Sequence, residues 1–367
     1  MKKVLFVIDN LCGGGAEKVL IDILEIIDKS NFEITLLLFE KQGVYLDKIP
    51  KDIKVRSIFN HKVNRILKII FKLLCKINIL NIFINEKFDC EIAFLEGDAT
   101  YIVANSPNKY ANKVAWVHTD YKKNRVEKKE RERNTYSKFN SIVCVSNGAK
   151  DSFVEVFPEL SPKVKVIYNL INSNKIISKS IENIEIEEEI DILAIGRLLY
   201  VKGFDLLLKA QSNLIKQGIV NNICILGEGS ERDNLQKIID DNNLNETVKL
   251  VGFKENPYPY IRKAKMFVMP SRYEGFPLSL CEAIILEKLI ISTRCTGPSE
   301  ILDNGKYGIL VDVNEVTELE NAIKSMSCDR EIQIKYSNEV KSRKQFFNSS
   351  EVIASIENLI DSKTKNI

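Results

Sequence analysis

Short runs of apolar residues alternate with helix-length amphipathic stretches from one end of the chain to the other. VLFVI (4–8) precedes a helical pattern at Lys18–Lys29, and ITLLLF (34–39), EIAFL (91–95), KVAWV (113–117) and SIVCV (141–145) follow. After a break the alternation resumes with DILAI (191–195), NICIL (222–226), TVKLV (247–251), MFVMP (266–270) and LIIST (289–293). Runs this uniformly apolar read as strands covered on both faces, and with helices between them they predict parallel sheets in α/β layers. Each half has its own alternation, so the pattern predicts two doubly wound domains.

The break itself is legible. After YNLINSN (168–174) the chain becomes KIISKSIENIEIEEEI, dense in charge and free of glycine and aromatic residues. This predicts a linker at 172–189 between a first domain, 1–171, and a second, 190–347. The closing segment, 348–367, opens with Asn348-Ser349-Ser350 ahead of a helical pattern, an N-cap signal. It is expected to pack back toward the first domain.

One helical stretch departs from the ordinary pattern. In 61–84, HKVNRILKIIFKLLCKINILNIFI, the cations Lys62, Arg65, Lys68, Lys72 and Lys76 line one face, no acid is present, and leucine, isoleucine and phenylalanine fill the rest. Such a segment predicts either a helix lying on an anionic membrane or a domain helix with a lysine-rich solvated face. A second basic stretch, YKKNRVEKKERER (121–133), also carries glutamates and reads as an exposed, ion-paired helix or loop.

Composition narrows the class. With 367 residues, 45% hydrophobic and 28% charged, the chain is an ordinary globular protein long enough for two cores. A net charge of +3 gives no argument for nucleic acid. Eight cysteines without a CxxC pair, together with two histidines, argue against zinc and for a reduced, cytoplasmic chain. MKKVLFVIDN runs straight into a glycine loop and reads as a first strand, not a signal peptide. No charge-free apolar stretch reaches the ~18 residues of a membrane span.

Four loops could carry chemistry. Gly13-Gly14-Gly15-Ala16-Glu17 links the first strand to a helix, where free amides attract anions. It is not a Walker A loop, and Lys18 stands where GxGxxG needs its third glycine. Arg197 and Lys202, in GRLLYVKG (196–203), put two cations on one strand–helix loop. SRYEGFPLSLCEA (271–283) places Glu274 in a loop and Glu282 in the helix that starts near Pro277. Trp116-Val117-His118-Thr119-Asp120 sits at a strand's carboxyl end, where open α/β sheets bind ligands.

Taken together these loops resemble the retaining glycosyltransferases of family 4, which have the GT-B fold. The resemblance runs along nearly the whole chain and is weakest at 40–110. It rests on Arg197 and Lys202, Gly227-Glu228-Gly229, Glu274 and Glu282, Gly297-Pro298-Ser299-Glu300 and Asn304-Gly305-x-x-Gly308, with the GGGAE loop and the WVHTD strand end in matching positions. It implies two Rossmann-like domains facing a cleft, with a nucleotide diphosphate sugar bound mostly by the second. By similarity Arg197 and Lys202 hold the diphosphate and stabilise the leaving group in place of a metal ion. Glu282 holds the ribose, Glu274 faces the transferred sugar, and Gly227, Gly275 and the amides of Phe276 and Leu278 line the phosphates. Gly14 and Gly15 close over the diphosphate or acceptor, and His118 touches the donor sugar. Phe253 and Lys254 form a candidate contact for the base. No cofactor and no metal are expected; Glu96-Gly97-Asp98 is the nearest thing to a DxD motif and reads as an ordinary loop.

The implied activity is hexosyl or N-acetylhexosaminyl transfer, from a UDP-sugar in preference to a GDP-sugar. The acceptor would be a glycan, plausibly a lipid-linked oligosaccharide of O-antigen, capsule or exopolysaccharide assembly on the inner face of the cell membrane. Two rivals remain. A Rossmann oxidoreductase would use Glu40 as its ribose acid, but lacks the third glycine and leaves the second-half motifs unexplained. A non-catalytic membrane scaffold of the same fold has no need of Arg197, Lys202, Glu274 and Glu282 together.

Overall fold

The computed structural model describes residues 1–75, 79–183, 186 and 189–362. It divides into two units, one of Met1–Leu170 with Ser349–Ile367, the other of Ile171–Asn348. The first unit is built on seven strands: β1 (Lys2–Ile8), β2 (Phe32–Glu40), β3 (Lys54–Phe59), β4 (Cys90–Ala93), β5 (Asn112–Val117), β6 (Ser141–Cys144) and β7 (Val164–Val166). They form one parallel sheet in the order β3-β2-β1-β4-β5-β6-β7. The second unit repeats the plan with β8 (Ile192–Ile195), β9 (Ile223–Leu226), β10 (Val248–Gly252), β11 (Met266–Met269), β12 (Leu289–Thr293) and β13 (Ile309–Val311). Its parallel order is β10-β9-β8-β11-β12-β13. Both sheets are Rossmann-like. In each, the strand order reverses beside the first strand, and the crevice beyond the carboxyl ends there is the natural ligand site.

Sequence pattern and structure agree best where strands are covered on both faces. Val4 to Ile8 of β1 are all buried, as are Ile223 to Leu226 of β9. The apolar runs omit β3, β7 and β13, which are edge strands with partly exposed residues. In β3 and β7 polar residues interrupt the apolar run, while β13, Ile309-Leu310-Val311, is apolar throughout but only three residues long.

The segment 172–189 is not a linker throughout. Residues Ser173–Ser180 form a helix capped by Asn172, whose side chain accepts the Lys175 amide at 3.0 Å. Ile176 is buried, and the helix packs on those at Tyr258–Lys263 and Leu278–Ile285. The charge density that suggested a linker is the wet side of this helix and the stretch after it. The last helix, Ser349–Asp361, buries Ile353, Ile356, Leu359 and Ile360. The Asn112 amide of β5 donates to its Leu359 carbonyl at 3.0 Å, which ties it into the first unit.

Candidate functional site

In the second unit the carboxyl ends of β8, β9 and β11 are held together largely by backbone against backbone. A Cβ on Gly227, whose φ is +141°, would fall 1.9 Å from the Gly196 carbonyl oxygen. One on Gly203, at φ +65°, would fall 2.0 Å from the Pro270 oxygen, and one on Gly297 2.3 Å from that of Gly275. Only glycine lets these turns approach so closely. Amide bonds complete the contact: Leu198 N–H donates to the Glu228 carbonyl and Glu231 N–H to the Leu198 carbonyl, both at 2.9 Å.

Lys202 and Glu274 meet on this frame. The Lys202 ammonium lies 2.5 Å from Glu274 Oε1, which also accepts the Ser271 hydroxyl at 2.9 Å. Both bonds fall on Oε1, so Oε2 is left to face a further donor such as a sugar hydroxyl. Arg197 stands on the same loop with an exposed side chain, and no ion pair joins it to the described residues. Gly275 and Phe276 are buried, Pro277 caps the helix Leu278–Ile285, and that helix's first-turn amides point out of its start. Glu282 is buried one turn along. Phe253 is half-exposed and follows β10, whose Gly252 carbonyl accepts the Gly227 amide at 2.9 Å. Lys254 lies 5.9 Å over the Tyr260 ring. The second-unit residues named from the sequence therefore gather at the carboxyl ends of four strands.

Arg272 is the residue that sequence reading missed. Its guanidinium grips both oxygens of Asp205 at 2.9 Å, the Tyr200 carbonyl at 2.5 Å and Asn314 at 2.9 Å, and it stacks 3.8 Å over the Tyr200 ring. Its own amide donates to the Val201 carbonyl at 2.7 Å. Arg272 thus locks the loop that carries Lys202 to the loop that carries Glu274. Thr293 and Cys295 hold the Ser271 carbonyl from the other side, at 2.5 and 3.1 Å. An arginine inside a motif looks like a ligand contact, and nothing in the sequence marks it as a clamp.

The first unit contributes Gly14, Gly15 and His118. Gly14 N–H donates to Glu17 Oε2 at 2.6 Å, so this amide is held by the chain's own capping carboxylate. Gly15 opens the helix Gly15–Ile26 and is exposed. His118 follows β5. Burial pushes its pKa down to about 4, while a hydrogen bond to the Phe94 carbonyl opposes that shift. Glu96 and Asp98 do not act as a pair. Glu96 accepts the amides of His118 and Thr119 at 2.8 and 3.1 Å, whereas Asp98 binds Lys72 at 2.5 Å and Lys68 at 3.3 Å.

Those ion pairs correct the expected cationic stripe. In the helix Arg65–Leu74, Lys68 also reaches Glu40 at 2.9 Å, so Lys68 and Lys72 turn inward onto Glu40, at the end of β2, and Asp98, the first residue of the helix after β4. Lys62 and Arg65 are exposed, and Lys76 lies outside the described residues. The outward face is apolar: Ile66 is 67% exposed, Ile69 52% and Leu73 57%, with Leu67 and Ile70 beside them. Phe71 is the buried apolar residue of the helix and lies edge-on to Phe39 and Phe59. Close by, burial and the Asp98 charge push Asp9 up to about 7. Among the described residues no helix is long and apolar enough to cross a membrane.

Comparison with known proteins agrees with this anatomy. Residues 177–343 match the family model for glycosyl transferases group 1. The chain is 29% identical over 366 residues to the N-acetylgalactosamine-N,N'-diacetylbacillosaminyl-diphospho-undecaprenol 4-alpha-N-acetylgalactosaminyltransferase of Campylobacter jejuni, covering 96% of this chain and 97% of that protein. It is 25% identical over 226 residues to the poly(ribitol-phosphate) alpha-N-acetylglucosaminyltransferase of Staphylococcus aureus, covering 60% and 44%. The crystal structure of Anabaena HepE with UDP-glucose superposes with a TM-score of 0.79 at 19% identity, covering 98% of this chain and 99% of that one. The second unit thus matches the model for glycosyl transferases group 1 over residues 177–343, and the chain has the fold of the GT-B glycosyltransferases to which it is similar.

Proposed function

We propose that the protein transfers a hexosyl or N-acetylhexosaminyl group, with retention at the anomeric carbon as in family 4, from a UDP-sugar to a lipid-linked oligosaccharide of a bacterial surface glycan. The observation that carries the reading is the Lys202–Glu274 pair, held at 2.5 Å on glycine-built loops at the carboxyl ends of the second sheet. The bond between the anomeric carbon and the β-phosphate oxygen breaks, a bond to an acceptor hydroxyl oxygen forms, and the hydroxyl proton passes to an oxygen of the departing diphosphate. Charge then grows on the departing diphosphate. Lys202 and Arg197, with the helix amides at Phe276 and Leu278, are the groups of this chain suited to stabilise it. Glu274 accepts from the sugar, Glu282 from the ribose, and Phe253 and Lys254 flank the base. Gly227 and Gly275 let the backbone come close, and Gly14, Gly15 and His118 serve from the first unit. The name of the Campylobacter relative supports a lipid-linked diphosphate acceptor, those of the Campylobacter and Staphylococcus relatives support an N-acetylated sugar, and the ligand of HepE supports uridine.

The exposed isoleucines and Leu73 of the helix Arg65–Leu74 support contact with the inner face of the cell membrane, with Lys62 and Arg65 at its edge. The apolar face, not the lysine stripe, carries that part of the reading.

The test is nucleotide release by purified protein from a panel of UDP-, GDP- and TDP-sugars, UDP-N-acetylgalactosamine among them, with and without lipid extract. Release is expected with a UDP-sugar, to be stimulated by the extract and to persist in EDTA. No release from any donor in the presence of extract sinks the transferase reading. Loss in EDTA restored by a divalent ion sinks only the assignment of charge stabilisation to Arg197 and Lys202.

A further inference from the structure

We infer that Asn256 is a positioning residue that bolts the loop carrying Phe253 and Lys254 to the helix Ser173–Ser180, and that this helix is a strut of the nucleotide site; the inference rests on reading Phe253 and Lys254 as contacts for the base. The loop leaves β10 at Gly252 and ends where the helix Tyr258–Lys263 begins. Its near end is fixed to the sheet. The register of β10 against β9 shifts between Leu250 and Gly252, and Arg232 reaches the Leu250 carbonyl at 3.2 Å while pairing with Glu228 at 2.8 Å. The Gly252 carbonyl accepts the Gly227 amide at 2.9 Å. Phe253 itself is 47% exposed, so its own packing does not hold the loop.

The far end is Asn256. Its amide nitrogen donates to the Lys179 carbonyl at 3.0 Å and to Glu182 Oε2 at 2.6 Å, and its Oδ1 accepts the Tyr258 amide at 3.2 Å. Both donors and the acceptor of the side chain are thus used. The acceptor closes an Asx turn that starts the next helix, and the two donors reach back 77 and 74 residues along the chain. What they grip is itself seated. The helix Ser173–Ser180 buries Ile176 and Ser180 and packs on both Tyr258–Lys263 and Leu278–Ile285. The latter helix carries Glu282, and its start offers the amides for the diphosphate. A nucleoside diphosphate spans both places, with its base at the loop and its ribose and phosphates at the helix. For one ligand to reach both, loop and helix must keep a fixed separation, and the helix Ser173–Ser180 touches the two of them. Every group in this chain of contacts lies in the second unit.

Calorimetric titration of the full-length protein with UDP and with inorganic pyrophosphate tests this, because pyrophosphate has no base and reports the phosphate contacts by themselves. Asn256→Ala should raise the Kd for UDP about tenfold, the scale of one lost contact, and leave the Kd for pyrophosphate at the parent's value. With a UDP-sugar the donor KM should rise while kcat stays near the parent's, since the base is bound alike in the ground and transition states. Asn256→Asp should bind UDP more weakly still, because it sets a second carboxylate against Glu182. Adding Glu182→Gln turns one partner into a donor and should recover part of that loss. If Asn256→Ala does not fold, Asn256→Ser, which keeps an oxygen for the Tyr258 amide, takes its place with the same expectation. A folded variant that binds UDP like the parent, or that loses UDP and pyrophosphate affinity alike, overturns the inference. If the double variant Phe253→Ala with Lys254→Ala binds UDP like the parent, the base reading itself fails, whatever the Asn256 variants do.

Discussion

The two sheets share a strand order, yet their carboxyl ends are built from different materials. In the second unit, glycines let loops close on one another through main-chain atoms, and a few side chains, Lys202, Glu274 and Arg272, are set into that frame. In the first unit the same region is held by charge: Lys68 bridges Glu40 and Asp98, Lys72 binds Asp98, Glu96 takes two amides, and Glu17 caps Gly14. A backbone-built site depends little on its surroundings and stays rigid. A charge-built one leaves room for the apolar face of the helix Arg65–Leu74 to remain uncovered. The two units thus reach the same strand order with carboxyl ends of different make: main chain against main chain in the second, paired charges in the first.

The sharpest way to break this contrast is to add single methyl groups. Gly227→Ala meets a carbonyl oxygen at 1.9 Å with φ at +141°, and should destabilise the second unit by about 4 kcal/mol. Gly218→Ala, at φ +79° with nothing within 4 Å, should cost only about 1 kcal/mol. Denaturant unfolding of both variants reads the difference; equal losses would mean that the backbone contacts of Gly227 do not hold the unit together. Next in size are the cations. Lys202→Ala or Arg197→Ala should lower turnover ~10²–10³-fold while leaving the melting temperature near the parent's. Two near-parental rates would remove the diphosphate assignment from this loop.

What the sequence revealed follows the same division. Backbone-built features leave compositional traces, because a turn that forbids a Cβ must be written as glycine. Gly203, Gly227 and Gly297 could be read together with Lys202 and Glu274 for that reason. Charge pairing leaves no such trace. Lys68 and Lys72 looked like a solvated stripe because their partners, Glu40 and Asp98, are 28 and 26 residues away along the chain on either side. Glu96 and Asp98, read from the sequence as part of an ordinary loop, serve different elements with their side chains, and no sequence signal gives their partners. Arg272 was visible, but its job as a clamp depends on Asp205, Tyr200 and Asn314 folding around it. The edge strands β3 and β7 were hidden by the polar residues that interrupt them, and β13 by its length of three residues.

The helix Arg65–Leu74 separates the two kinds of surface on one element. Changing Ile66, Ile69, Ile70 and Leu73 to serine removes apolar area that each residue could bury in lipid, and should weaken association with anionic vesicles by at least about 10²-fold. The fold should survive, because these side chains are already exposed. Lys68→Glu should do the reverse: it places a third acid between Glu40 and Asp98, so the melting temperature should fall before any change in vesicle binding. Vesicle co-sedimentation in parallel with thermal melts distinguishes them. Parental binding by the serine variant would mean that this face does not enter lipid.

A pH-dependent stability test asks whether charge in the first unit is a structural cost as well as a support. Glu91 of β4 is buried, with one oxygen accepting the Ser106 hydroxyl at 2.8 Å, and burial pushes its pKa up to about 7. The folded state therefore holds this proton more tightly than the unfolded chain does. The stability it contributes is complete below the unfolded value near 4.5 and is lost as pH rises through about 7. Glu91→Gln has no proton to lose, and its amide oxygen can still accept from Ser106. Variant and parent should melt together near pH 4.5, and the variant should gain, by up to about 3 kcal/mol, between there and pH 8. His118 works in the opposite sense, since its depressed pKa destabilises the fold as pH falls from 6.5 toward 4, but both proteins share that effect and it cancels in the difference. A difference that does not change with pH would show that Lys113, whose ammonium lies 3.1 Å from the Ser106 carbonyl, already keeps Glu91 ionised at neutral pH. The ion-pair plan seen at Lys68 and Lys72 would then extend into the sheet itself.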